Sequence, residues 1–177
     1  MTTTVSRVIR TEPLTAEGFA PYGSVIVAER GDVPVKIANQ GTARRYNWLG
    51  AVTNLRPDTA RLNLCLFRCT PRTEWPFRVE IMEKHAKSTQ VVVPMNADRY
   101  VVLVARPNTD VPDLTTLRAF TATARQGVAY LPGTWHHPLL ALSHETDFGV
   151  AVWEDDTDGD CDLITLPESD RPLIELG

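Results

Sequence analysis

Glu83, His85, Gln90 and the pair His136 and His137 are the residues of this 177-residue chain whose types and spacing could do chemistry. Polar and apolar residues alternate along FRVEIMEKH, residues 77–85, and successive side chains of an extended chain point to opposite faces. Ile81, Glu83 and His85 then share one face while Met82 and Lys84 take the other, which sets a carboxylate beside an imidazole. Gln90 opens the next strand-like run. In LPGTWHHPLL, residues 131–140, two histidines follow a Pro-Gly turn and Trp135. If both are extended only one faces the interior, and spacing alone leaves open which. An imidazole from each segment, with Glu83, would make an acid/base set, because imidazole exchanges its proton near neutrality. The same groups with the Gln90 amide form a mixed nitrogen and oxygen set compatible with nickel, manganese, iron or zinc, in which Gln is a weak, neutral ligand. His144, in the turn-like SHET, reads as a surface residue, and Trp135 as a packing wall.

These side chains need a rigid frame, and the composition supplies one: 43% hydrophobic residues over 177 positions fit one globular domain spanning residues 1–177. The net charge is −4 with Lys and Arg scattered, which argues against a nucleic-acid footprint or a polybasic membrane surface and points to a small partner. No apolar leader stretch or membrane-length apolar run occurs, so a cytoplasmic chain is expected. Cys65, Cys69 and Cys161 are three in number without CxxC spacing, which suits reduced thiols, the first two as buried strand residues. Thr15 should cap one short helix that Pro21 and Gly23 stop, ahead of the strand-like SVIVAE at 24–29. The segments 61–69, 77–85, 89–95, 99–105 and 146–154 read as strands, with a tight hairpin at 95–98. The stretch 106–117 reads as a longer loop with one helical turn, and EDDTDGDCD at 154–162 as a solvated acidic loop that lacks the closing Glu of a calcium-binding loop. Many short strands punctuated by Pro and Gly predict a mainly β chain, a sandwich or barrel.

The string Glu83-x-His85-x4-Gln90 has the spacing of the first metal-binding motif of cupins, and Pro-x-Gly-x-x-His resembles their second motif, with Gly133 selecting His136 and Pro132 selecting His137. Together, IMEKHAKSTQVVVPM, PDLTTLRAF, QGVAYLPGTWHHPLL and TDFGVAVWE, with NQGTARRYN and LFRCTP, make the chain similar to the ureidoglycolate lyase family from about Phe19 to Asp162. The resemblance implies a cupin-like β-barrel or jelly roll with one or two short helices. It also implies a homodimer, cleavage of (S)-ureidoglycolate to glyoxylate and urea in purine (allantoin) catabolism, Ni2+ as a possible cofactor, and no organic cofactor. The family form Trp-His-x-Pro matches Trp135, His136 and Pro138, which favours His136 over His137.

That reaction asks for identifiable groups. Ureidoglycolate is a carbinolamide of glyoxylic acid, so a base must take its hydroxyl proton and an acid must protonate the departing urea nitrogen. His85, His136 and Glu83 are the candidates, with Gln90 as a further substrate or metal contact. The substrate carboxylate needs a cation. On 61–69 the apolar face Leu62, Leu64, Leu66 continues to Arg68, which makes Arg68 the expected anchor if that face is turned inward. Asn39 and Tyr46, in NQGTARRY, are hydrogen-bonding candidates on a loop that could close over the ligand. Two other classes suit the same scaffold: a different cupin enzyme, such as a metal-dependent oxygenase or an epimerase, and a non-catalytic ligand-binding cupin.

Overall fold

A computed structural model describes residues 7–28 and 30–177. The first six residues, and Glu29 at the end of the strand-like SVIVAE, lie outside the described residues. Nine strands position the site: β1 (Arg61–Cys69), β2 (Ile81–His85), β3 (Gln90–Pro94), β4 (Arg99–Asn108), β5 (Val111–Thr123), β6 (Gly127–Tyr130), β7 (Trp135–His136), β8 (Thr146–Glu154) and β9 (Cys161–Thr165). One sheet carries the order β1-β8-β3-β6, extended at its far edge by Gly23–Ile26. The facing sheet carries β2-β7-β4-β5, extended by β9 beyond β2. Successive strands thus cross between two sheets in the order of a double Greek key, which is the jelly roll. The described residues are mainly β, with one short α-helix, Ala16–Phe19, whose Thr15 cap accepts from the Gly18 backbone N–H.

The two sheets are buried differently. Between them lies a core of Phe19, Val25, Val92, Tyr100, Phe120 and Phe148. The β2-β7-β4-β5 sheet has a second core on its other face, where Met82, Leu103 and Trp135 meet Phe77, Val79 and Ile174. A small sheet of Val8–Arg10, Leu173–Glu175 and Phe77–Arg78 contributes the covering residues, so the tail after Pro167 has a structural role. Burial on both sides explains why β4 reads as a continuous apolar run. Among the described residues no such cover lies over β1 and β3 of the other sheet, and Leu62, Leu64 and Leu66 are exposed there with Val93 and Met95.

Four expectations are corrected. The connection 95–98 is not a hairpin, because β3 and β4 belong to different sheets and the chain crosses from one to the other there. The segment 106–117 is not a loop with a helical turn: β4 and β5 continue through it as a long hairpin turning at Thr109 and Asp110. Pro107 pairs with Pro112 at the outer end of that hairpin, beyond a register shift between Val104 and Arg106. Prolines are tolerated there because the ladder can lose their N–H groups, yet in the sequence they look like loop punctuation. The stretch 77–85 is two strands, because Val79 donates to the Pro172 carbonyl and turns the chain from the small sheet into β2. The Leu62, Leu64, Leu66 and Arg68 face of β1 points outward. Alternation establishes two faces without saying which is inside. The register of β1 on β8 decides it by pairing Cys65 with Val150 and Asn63 with Val152, both buried.

Candidate active site

Glu83 and His85 project from one face of β2 into the space between the sheets, as the alternation requires. β7 lies beside β2 with His136 opposite Glu83. The approach of the two strands is set locally: Gly133, at φ 82°, turns the chain after Pro132, and its N–H donates to the His85 carbonyl at 2.8 Å. A positive φ there favours glycine over residues with a Cβ. Three side-chain atoms, one each from Glu83, His85 and His136, all lie within 4.8 Å of one another. They face a cavity of about 300 Å³ whose walls include Cys65, Phe67, Gln90, His137, Val150 and Cys161.

Each group is held in a defined state. His136 is 2% exposed, and its ring stacks on Tyr130 with centroids 4.1 Å apart and planes 6° apart. Its Nδ1 donates to the Thr134 carbonyl at 3.0 Å, which leaves Nε2 as the lone-pair nitrogen facing the cavity. That Nε2 stands 3.3 Å from Glu83 Oε1 but makes no hydrogen bond of proper geometry, so among the described residues it is a buried polar atom without a partner. Burial pushes the Glu83 carboxyl up, but contact with His136 and the charges of His85 and His137 outweigh it and hold the group below the usual glutamate range. Burial, reinforced by His136, pushes His85 below the usual imidazole range and keeps it neutral near pH 7, with Glu83 and Asp160 opposing. The Gln90 amide nitrogen lies 2.8 Å from His85 Nε2 and donates to it when the imidazole proton is on Nδ1. Two Nε2 lone pairs and a carboxylate turned toward one point are a donor set that first-row divalent cations accept, and the orphaned Nε2 of His136 is what such an ion would satisfy. A half-turn of the Gln90 amide would bring its oxygen toward the same point.

The structure therefore brings Glu83, His85, Gln90 and His136 together and leaves other candidates apart. Arg68 is a correction: its guanidinium is 62% exposed and bridges Asp147 at 2.8 Å and Glu145 at 3.6 Å. Arg68 and Asp147 are directly opposed across β1 and β8, so they pair on the outer face. Asn39 and Tyr46 lie at the turn and the end of a separate hairpin, Val35–Ala38 with Ala43–Tyr46, and neither lines the cavity. The condition under which only one of the paired histidines could face inward, that both be extended, is not met, because β7 ends at His136. His137 lines the cavity and a neighbouring one of about 450 Å³ that contains Arg72, Arg78, Phe77 and Ile81. Burial lowers the affinity of His137 for a proton. His144 is exposed near Asp98, as its turn suggested. Missed in the sequence were Tyr130, which supports His136 from β6, and Asp160, which lies 3.9 Å from His85 Nδ1. No local pattern marks them, since sheet closure alone creates both contacts. Cys65 and Cys69 are only partly buried and line the cavity.

Comparison with known proteins identifies the family. Residues 6–171 match the family model described as ureidoglycolate lyase. A protein named ureidoglycolate lyase from Pseudomonas paraeruginosa (strain DSM 24068 / PA7) is 34% identical over 169 residues, covering 96% of each chain. One of the same name from Azotobacter vinelandii (strain DJ / ATCC BAA-1303) is 32% identical, covering 95% of this chain and 98% of that one. Another, from Brucella anthropi, is 39% identical over 137 residues, covering 77% and 78%. Among solved structures, RmlC from Streptococcus suis overlays with a TM-score of 0.45 at 11% identity, covering 82% of this chain and 72% of that one. With a family match over residues 6–171 and relatives above 30% identity along almost its whole length, the chain belongs to the ureidoglycolate lyase family.

Proposed function

We propose that this chain is a single cupin-like domain, residues 1–177, that cleaves (S)-ureidoglycolate to glyoxylate and urea in purine (allantoin) catabolism. The observation that carries the reading is the buried meeting of Glu83, His85 and His136 on one cavity, in a chain of this family. His85, neutral at Nε2, takes the substrate hydroxyl proton as the C–O bond becomes C=O and the C–N bond breaks. His136 acts from its imidazolium form: with the Nδ1 proton held by the Thr134 carbonyl, a second proton on Nε2, across from the ionised Glu83, passes to the departing nitrogen, so one proton is taken and one given and urea leaves neutral. Gln90 fixes the His85 ring, and its amide is within reach of a substrate oxygen. In a metal-loaded form, Glu83, His85 and His136, with Gln90 as a fourth donor, would hold a divalent cation in place of the proton transfers by the two imidazoles, and Ni2+ is the ion the family resemblance suggests. When bound, such an ion makes the hydroxyl oxygen more acidic.

The carboxylate anchor is assigned away from Arg68. Arg72 is the better placed cation: its guanidinium lies 4.6 Å over the Phe77 ring, and that ring is 5.1 Å from His137 at the cavity wall. Among the described residues no carboxylate lies within ion-pair distance of Arg72. Asn39 and Tyr46 would reach substrate only if their hairpin moved, and they are kept as contacts of a closed form. The working unit is a cytoplasmic homodimer formed through the outer face of β1, β8 and β3. Leu64 is 77% and Met95 66% exposed on that sheet, an apolar surface that a second copy would cover. No described helix is long and apolar enough to cross a membrane. Purified protein given (S)-ureidoglycolate should release glyoxylate, and Glu83→Gln should abolish the release. Oxidation or epimerisation of a cupin substrate with no glyoxylate formed would replace this reading.

A further inference from the structure

His136 and His85 present Nε2 to the same cavity, but only one of them has a visible reason to do so. The Thr134 carbonyl takes the Nδ1 proton of His136 at 3.0 Å. For His85 the Nδ1 atom is buried and has no hydrogen-bond partner among the described residues. Asp160 lies beside it, with Oδ2 3.9 Å away. Asp160 is itself 4% exposed and is anchored from several sides. Its Oδ1 accepts from the Lys87 backbone N–H at 2.5 Å, and its Oδ2 accepts from the Ser88 hydroxyl and lies 3.1 Å from the Arg56 guanidinium. The Asp160 carbonyl also accepts from the Ala86 N–H at 2.9 Å, which ties the residue to the end of β2. Arg56 in turn is held by Asp155 and by the Trp153 carbonyl.

A carboxylate fixed this firmly beside an imidazole nitrogen has a chemical consequence. It favours the tautomer that carries its proton on the near nitrogen, and so leaves the far nitrogen as a lone pair. The far nitrogen of His85 is Nε2, and the Gln90 amide nitrogen, 2.8 Å from it, is placed to donate to that lone pair when the proton is on Nδ1. The contacts on the two edges of the ring are thus compatible with one tautomer. The distance of 3.9 Å is too long for a direct hydrogen bond, so the influence is electrostatic or relayed through one water.

We propose that Asp160 is a positioning residue: its buried carboxylate, clamped by Arg56, Ser88 and the Lys87 amide, keeps the His85 proton on Nδ1 and so turns the basic Nε2 toward the reacting ligand. The acidic stretch 154–162 is then more than a solvated loop. Its residues Asp155 and Asp160 hold Arg56 from two sides beneath the site. The proposal rests on His85 being a group of the active site, but its test does not require the lyase reading to be right.

The test is a long-range 1H–15N correlation spectrum of histidine-labelled full-length protein near pH 7.5, with His85 assigned by its loss in His85→Gln. The wild-type ring should show a protonated Nδ1 and a bare Nε2. In Asp160→Asn a side-chain N–H can face Nδ1, so the Nε2–H form should appear and kcat/KM for (S)-ureidoglycolate should fall about 10- to 100-fold. Asp155→Asn loosens Arg56 without facing His85 and should leave the tautomer unchanged. A wild-type His85 with its proton on Nε2 overturns the proposal, even if Asp160→Asn does not fold. So does an Asp160→Asn protein that retains both tautomer and rate. If wild-type protein releases no glyoxylate, the lyase reading fails and the spectra still decide the role of Asp160.

Discussion

Replacing His136 by Asn deletes one atom position of interest and little else. The Asn side-chain N–H falls near the place of Nδ1 and can keep the donation to the Thr134 carbonyl, whereas nothing remains at Nε2, 3.3 Å from Glu83. If His136 is the proton donor, the loss should be that of a positioned general acid, about 10²- to 10⁴-fold in kcat/KM. At about 1.4 kcal/mol per tenfold, this is roughly 3–5 kcal/mol of transition-state stabilisation. The fold should lose less. The stack on Tyr130, with centroids 4.1 Å apart, is the main packing contact removed, and aromatic pairs contribute about 0.5–1.5 kcal/mol beyond burial. In a chain of this size each kcal/mol lowers Tm by about 2–4 °C, so a fall of a few degrees is expected. His137→Asn is the companion variant. His137 reaches the cavity wall and packs edge-on to Phe77 but does not belong to the three-atom cluster, so its loss should leave kcat within severalfold. Continuous glyoxylate assays on both proteins, with thermal melts beside them, decide the register. A folded His136→Asn enzyme keeping more than a tenth of wild-type rate, or a dead His137→Asn enzyme, would refute the assignment.

Arg72→Gln should raise KM roughly 10- to 100-fold with a smaller effect on kcat, as expected when a charge-assisted contact present before and during reaction is lost, while Arg68→Ala should leave KM unchanged. The reverse pattern in steady-state kinetics would return the carboxylate to the outer face of β1. Thermal stability should depend on pH in a particular sense: His85 and His137 are buried below their ordinary value of 6.5, so the unfolded chain takes up their protons first. Their contribution is complete above that value and is lost as pH falls from 6.5 toward the lower folded values, with Glu83 adding a further loss below 4.5. A Tm that stays flat from pH 7.5 to 5 in a melting series would contradict the burial of these rings. Leu64→Glu places a charge at the centre of the exposed β1 face and should convert a dimer to monomers by light scattering. A monomeric wild type, or a variant that remains dimeric, would move the interface elsewhere.

The sequence and the structure agree where local geometry decides. Glu83 and His85 share a face because a strand has period two, and the Pro-Gly turn before His136 is required by a left-handed residue at Gly133. Thr15 caps its helix because its hydroxyl finds the Gly18 N–H within the same turn. Disagreement begins where a choice depends on a distant partner. Along β1 both faces carry apolar residues, so only pairing with β8 shows that Cys65 is inside and Leu64 outside. That one inversion also took Arg68 out of the site. Polar residues and opposed prolines hid the outer half of the β4 and β5 hairpin, whose ladder is legible only in register. Tyr130 and Asp160 meet the histidines from β6 and from the turn before β9, and no spacing along the chain predicts either contact.

The central claim is that Glu83, His85 and His136 break the bond between carbon and the ureido nitrogen and leave the urea unit intact. A product balance on (S)-ureidoglycolate tests it most directly, with glyoxylate, urea and ammonia measured in one reaction by the full-length protein. The account predicts glyoxylate and urea in equal amounts with no ammonia above the uncatalysed blank, and no turnover in Glu83→Gln. Ammonia released in step with glyoxylate would mean that the ureido group is hydrolysed instead, and would contradict the proton transfers assigned to this site.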